Sequence, residues 1–154
     1  IDWLPNNLPT EKRTGIVHGD YSLTNVMIGK NDPNVIAILD WELSTLGDPC
    51  ADFNYHCLQY TMNPKLADKE YCKNQGIPVI DDYVKMYSEK IEIDLTEEWD
   101  LYSAYNLFKL AGILQGILGR VRDGTAAHEN AAERASGVRN LSDKAWDLVE
   151  KNFL

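Results

Sequence analysis

The groups best suited to chemistry lie in His18-Gly-Asp-Tyr-Ser-Leu-Thr-Asn25 and in Asp40-Trp41-Glu42. Two apolar runs rich in β-branched residues, Asn25–Ile28 and Val35–Leu39, flank the turn formers Gly29-Lys-Asn-Asp-Pro-Asn34. That pattern predicts a β-hairpin. A turn centred on Asp32 and Pro33 sets Asn25 opposite Asp40, and directly opposed residues of an antiparallel pair share a face. An amide oxygen and a carboxylate would then converge at one end of the hairpin. Two hard oxygen ligands so placed suit Mg²⁺, which keeps several waters and shares its shell with phosphate oxygens. Asp20, on the loop entering the hairpin, is the candidate base for a reacting group held there. Glu42 either approaches a second metal or caps the following turn.

The spacing D-x-x-x-x-N from Asp20 to Asn25, followed by an aspartate after a hairpin, resembles the catalytic loop and metal segment of the kinase fold. With His-Gly-Asp at 18–20 and Asp-Trp-Glu at 40–42, the chain resembles the aminoglycoside phosphotransferase and choline kinase superfamily. The resemblance continues through Gly47-Asp-Pro-Cys-Ala-Asp52-Phe and, more weakly, through Gln115-Gly-Ile-Leu-Gly-Arg120. Within the superfamily it is most similar to kinase-like domains found alone or attached to acyl-CoA dehydrogenases. The resemblance implies that Asp20 orients the acceptor hydroxyl and accepts its proton. It implies that Asn25 and Asp40 hold Mg²⁺ on the phosphates of ATP, and that His18 and Asp52 brace the catalytic loop. Arg120 would bind an anionic group of the acceptor, although a cation in the last turn of a helix is already accounted for by the helix dipole.

Around these residues the sequence predicts an α+β, mostly helical fold, the C-terminal lobe of a kinase-like enzyme spanning 1–154, with the small hairpin carrying the metal site. Pro5 and Pro9 make residues 1–13 an irregular lead-in. From about Asp48 the period turns helical, with Phe53, Cys57 and Tyr60 on one face and Pro64 closing the segment. A second helix is expected from Pro78 to Ile91 with Val79, Tyr83, Met86 and Tyr87 inward. The longest runs from Thr96 to Arg122, capped by Thr96 or Asp94. Leu101, Tyr105, Phe108, Ile113, Leu114, Ile117 and Leu118 cover several of its faces and predict burial on several sides. A last helix from about Ala126 to Phe153 presents Val138, Leu141, Ala145, Leu148 and Val149, with a break near Gly137. His56 reads as a helix-surface or packing histidine, and His128 sits in a polar stretch without a recognisable partner.

The chain carries 24 acidic and 15 basic residues, a formal net charge of −9, and both of its halves are net acidic. A nucleic-acid partner is not expected. No apolar run reaches the length of a membrane span, which predicts a soluble protein. Cys50, Cys57 and Cys72 form an odd set without metal-ligand spacing, pointing to reduced core thiols in the cytoplasm or another intracellular compartment. The glycine-rich loop, strand lysine and helix glutamate of a complete kinase cannot fit before His18. The chain is therefore expected to lack the N-terminal, ATP-grasping lobe, to be inactive by itself, and to expose apolar surface prone to self-association.

Two functions fit this reading. One is an ATP- and Mg²⁺-dependent small-molecule kinase acting on a hydroxyl, whose acceptor is an amino sugar, a choline-like alcohol or a hydroxyacyl compound. The other is a non-catalytic kinase-like module that binds a nucleotide or a protein; retention of Asp20, Asn25 and Asp40 together counts against it.

Overall fold

A computed structural model describes residues 3–7, 13–127 and 130–154, apart from the Arg134 side chain. His128 and most of the expected lead-in lie outside the described residues. Within that lead-in, α1 is a single helical turn, Trp3–Asn6. The described residues form two compact units, one through Glu98 and the other from Trp99 onward.

The first unit begins with two antiparallel ribbons. Strand β1 (Gly15–Val17) pairs with β4 (Thr45–Gly47), and β2 (Val26–Ile28) pairs with β3 (Val35–Ile38). The expected hairpin is thus present, but its register differs by one residue from the one the turn suggested. Val26 faces Ile38 and Met27 faces Ala37, whereas Ile28 faces Val35, so Ile36 is the extra residue of a bulge. An inserted residue shifts every pair beyond it. Asn25 consequently lies opposite Leu39, whose N–H donates to the Asn25 carbonyl at 2.8 Å. Asn25 and Asp40 are not a directly opposed pair; each sits just outside the ladder, in a 3₁₀ turn (Leu23–Asn25) and in a left-handed backbone conformation, respectively.

Helices α2 (Cys50–Cys57), α3 (Gln59–Met62), α4 (Pro64–Ala67) and α5 (Lys69–Asn74) follow in close succession. Pro64 does not close a helix but opens α4 at its first position, where a missing N–H costs nothing. Asn63 caps that turn through Lys65 N–H, and Asp68 caps α5 through Glu70 and Tyr71 N–H. Cys50, Phe53, Cys57, Leu58, Cys72 and Leu95 are buried and form the core. Helix α6 (Ile80–Ile91) lays Tyr87 flat on Phe53, ring centroids 3.8 Å apart, and brings Tyr83 edge-on to the same ring. Met86, expected inward, is exposed. All three cysteines are free and buried, as expected of core thiols. Apolar exposure gathers on the ribbons, where Leu46 is 73% and Ile16 68% accessible.

In the second unit, α7 (Trp99–Arg122) packs against α9 (Val138–Phe153), and the single turn α8 (Ala131–Arg134) also touches α7. Leu141, Ala145 and Val149 form one buried stripe on α9, and Leu101, Ala104, Leu107 and Ala111 are buried on α7. The chain between Ala126 and Asn130 is not helical where described, and Gly137 separates α8 from α9. The expectation that α7 is buried on several sides holds only in part. Tyr105, Phe108 and Ile113 are exposed, because one long helix and one turn within the unit cover a stripe rather than the circumference. No helix among the described residues is long and apolar enough to cross a membrane. The architecture is the mostly helical α+β one expected.

Candidate active site

The site is assembled by three segments of the first unit: the loop after β1, the 3₁₀ turn before β2, and the chain leaving β3. His18 is buried, and its ring donates through Nε2 to the Leu39 carbonyl at 2.7 Å while Nδ1 accepts the Asp20 N–H at 3.2 Å. That pattern fixes the Nε2–H tautomer. Asn25 donates from Nδ2 to the Asp20 carbonyl at 2.9 Å and to Asp20 Oδ2 at 3.2 Å. Together with the bond from Leu39 N–H to the Asn25 carbonyl, these contacts close a circuit: His18 to Leu39, Leu39 to Asn25, Asn25 to Asp20, and Asp20 back to His18. The structure therefore joins Asp20 and Asn25 directly and anchors the residue preceding Asp40 to both His18 and Asn25.

Gly19 is required at the turn. Its φ of +85° is left-handed, and a Cβ placed there would stand 2.5 Å from the Leu43 carbonyl oxygen. Only glycine combines that backbone with so close an approach. Asp52, on α2, accepts the N–H of His18 through Oδ2 and that of Gly19 through Oδ1, tying the loop to the helix. Helix α2 is itself anchored at its start, where Asp48 Oδ1 accepts Cys50 N–H and Asp48 Oδ2 pairs with Arg13. Arg13 also pairs with the buried Glu98.

Asp40 adopts φ 65° and ψ 57° and is exposed. Among the described residues no protein donor engages its carboxylate, and none engages Asn25 Oδ1, since both side-chain bonds of Asn25 use its N–H₂. The donor set is thus one amide oxygen and one carboxylate, which suits a hard cation that brings its own waters and phosphate ligands. No three His, Cys, Asp or Glu side chains among the described residues converge on a metal position. Glu42 is exposed within the 3₁₀ turn Trp41–Leu43, and that turn closes through Ser44 N–H on the Trp41 carbonyl rather than through Glu42. Arg120 is exposed in the last turn of α7, in the other unit.

Sequence reasoning missed Tyr55. Burial, and after it the influence of the nearby Asp20 carboxylate, pushes its pKa up to about 12. It also missed the ring contacts of His56. Nε2 of this residue lies 3.3 Å from the Tyr83 hydroxyl, its ring is 5.6 Å from that of Tyr21, and burial lowers its pKa. Their spacing from Asp52 on one helix was the available signal, but it became legible only once Asp52 was placed against the loop.

A model of the phosphotransferase enzyme family matches residues 1–105. The chain is 37% identical to mouse acyl-CoA dehydrogenase family member 10 over 98% of its length, and 32% identical to human family member 11 over 99%. It spans 15% and 20% of those proteins, respectively. A solved structure from Ralstonia eutropha JMP134, assigned to the aminoglycoside phosphotransferases, superposes with a TM-score of 0.87 at 40% identity. The match covers 99% of this chain and 48% of that one. With its kinase-like fold, the chain belongs to the phosphotransferase enzyme family.

Proposed function

We propose that this chain carries the acceptor-activating and metal-holding half of an ATP- and Mg²⁺-dependent kinase that phosphorylates a hydroxyl of a small molecule. The observation that supports it most is the hydrogen-bonded circuit through His18, Asp20, Asn25 and Leu39. It fixes the position of one carboxylate while leaving Asn25 Oδ1 and the Asp40 carboxylate uncommitted. Bound there, Mg²⁺ would neutralise phosphate charge. Asp20 then orients the acceptor hydroxyl and takes its proton. His18 and Asp52 hold the loop so that this alignment is set before substrate arrives, and such alignment is a large part of what phosphoryl transfer asks of a protein. Elements that clamp the nucleotide belong to sequence outside this chain, in keeping with its span of 48% of the solved relative.

The acceptor is an amino sugar, a choline-like alcohol or a hydroxyacyl compound, and similarity to dehydrogenase-linked proteins favours the last. The test is ATP consumption by the full-length protein with kanamycin, choline and a 3-hydroxyacyl-CoA. Asp20→Asn, Asn25→Ala and Asp40→Asn are each expected to lower the rate by about 10²- to 10⁴-fold. An Asp20→Asn enzyme as active as the parent would remove the base assignment.

A further inference from the structure

Two rings beside the candidate base take no part in its hydrogen-bonded circuit. Tyr21 follows Asp20 directly, and its ring meets that of His18 edge-on at 6.2 Å and that of His56 at 5.6 Å between centroids. His56 is fixed in turn from α6, with Nε2 3.3 Å from the Tyr83 hydroxyl and the two rings edge-on at 5.8 Å. Both rings are therefore held, but their polar tips are not. The Tyr21 hydroxyl and His56 Nδ1 have no hydrogen-bond partner among the described residues. Every buried side-chain nitrogen or oxygen among those residues has one, so both tips reach solvent. Polar groups that face solvent from rigid supports beside a reactive group are suited to orient a substrate. From this placement we infer that Tyr21 and His56 bind the acceptor through these tips and align the hydroxyl that Asp20 deprotonates, a role that rests on the reading of Asp20 as the base.

Asn25 and Asp40, the proposed magnesium ligands, belong to the turn before β2 and the chain leaving β3, and from there Asn25 Nδ2 meets the Asp20 carboxylate at 3.2 Å. Tyr21 packs instead against α2, through His56, so the groups that hold the metal do not claim its tip. The two tips also define what they recognise. Burial lowers the pKa of His56, so its ring is neutral at pH 7. A phenol both donates and accepts, and a neutral imidazole nitrogen does one or the other according to tautomer. Neither carries a charge with which to select an ammonium or a carboxylate. Together they suit an uncharged oxygen, hydroxyl or carbonyl, close to the reacting hydroxyl. An amino sugar and a hydroxyacyl compound both have one; choline, whose single oxygen is the one to be phosphorylated, does not.

The experiment compares Tyr21→Phe and His56→Gln in the full-length protein. Phenylalanine keeps the ring and removes the hydroxyl; glutamine keeps a polar group where Nε2 meets Tyr83 and removes the Nδ1 tip. Tyr60→Phe, which deletes a hydroxyl bonded to the Pro78 carbonyl, is the control. Steady-state ATP consumption is measured with kanamycin, choline and a 3-hydroxyacyl-CoA. Each of the two variants should lower kcat/KM for the acceptor about 3- to 10-fold, the loss of one neutral hydrogen bond, with KM for ATP unchanged. Parental kcat/KM in both alongside a dead Asp20→Asn would overturn the acceptor role and leave the base intact. An active Asp20→Asn would overturn both. A KM for ATP that rises in step would show a displaced loop and overturn the role as well, and turnover of choline alone would overturn recognition of a second oxygen. Binding is read separately, without turnover, from the ¹³Cζ resonance of Tyr21 in protein labelled at tyrosine, assigned by its loss in Tyr21→Phe. Kanamycin or the 3-hydroxyacyl-CoA should shift it and choline should not, and a resonance unmoved by all three would refute the contact.

Discussion

Asp52 accepts two backbone N–H groups through its two oxygens, and the first of them belongs to the buried His18. Asp52→Asn keeps the shape and one acceptor but turns an NH₂ toward the other N–H, so one bond is lost and a donor meets a donor. A hydrogen bond to a charged acceptor contributes about 1.5–3 kcal/mol, and stranding a buried donor costs about 1–3 kcal/mol. Loss of one bond and weakening of the other to a neutral one place the local penalty at about 2–4 kcal/mol. Because every 1.4 kcal/mol is tenfold, amides in the loop should exchange about 30- to 700-fold faster. Hydrogen exchange followed by mass spectrometry on peptides spanning residues 15–22 reads this directly. A peptide across α9 provides the reference, since that helix lies in the other unit. Unchanged exchange in the loop would refute the brace, and equal acceleration in α9 would show global rather than local loosening.

Three further outcomes follow from the same structure. Gly19→Ala should destabilise the protein by about 1–3 kcal/mol, because it imposes a left-handed φ and a clash with the Leu43 carbonyl; denaturant midpoints measure it. Burial holds His56 below its ordinary value of 6.5, so the unfolded chain binds its proton first and stability falls as pH drops through 6.5 and below. His56→Gln should flatten that dependence between about pH 7.5 and 5.5, and parallel curves would count against it. Cys72 is fully buried, and burial raises the thiols of Cys50 and Cys57 to about 12. The native protein should therefore not react with a disulfide reagent at about pH 8, and denatured protein should release all three equivalents.

The hairpin was legible because Asn25–Ile28 and Val35–Leu39 alternate around unmistakable turn formers, yet its register was not. Nothing in the composition of Val35-Ile-Ala-Ile38 marks Ile36 as the residue that drops out of the ladder. The ribbon of β1 and β4 escaped notice because three-residue strands containing Gly15 and Gly47 carry no period to detect. Helices α6 and α7 were visible from apolar spacing over many turns. The stretch from Gln59 to Asn74 was not, since Asn63 and Asp68 restart the helix at caps that read equally well as ordinary turns. Asp20 and Asn25 could be named from spacing and Asp52 from the family resemblance, but the nearness of Tyr55 to Asp20 is one that only the folded chain creates.

Asp40 sits in a backbone conformation that suits glycine better than any residue with a side chain. Asp40→Gly should relax that strain and add up to about 1 kcal/mol of stability while deleting the carboxylate. A copy of this fold freed from chemistry would gain robustness by that one change. On the proposed function, the carboxylate that aspartate places at this bend is what offsets the strain.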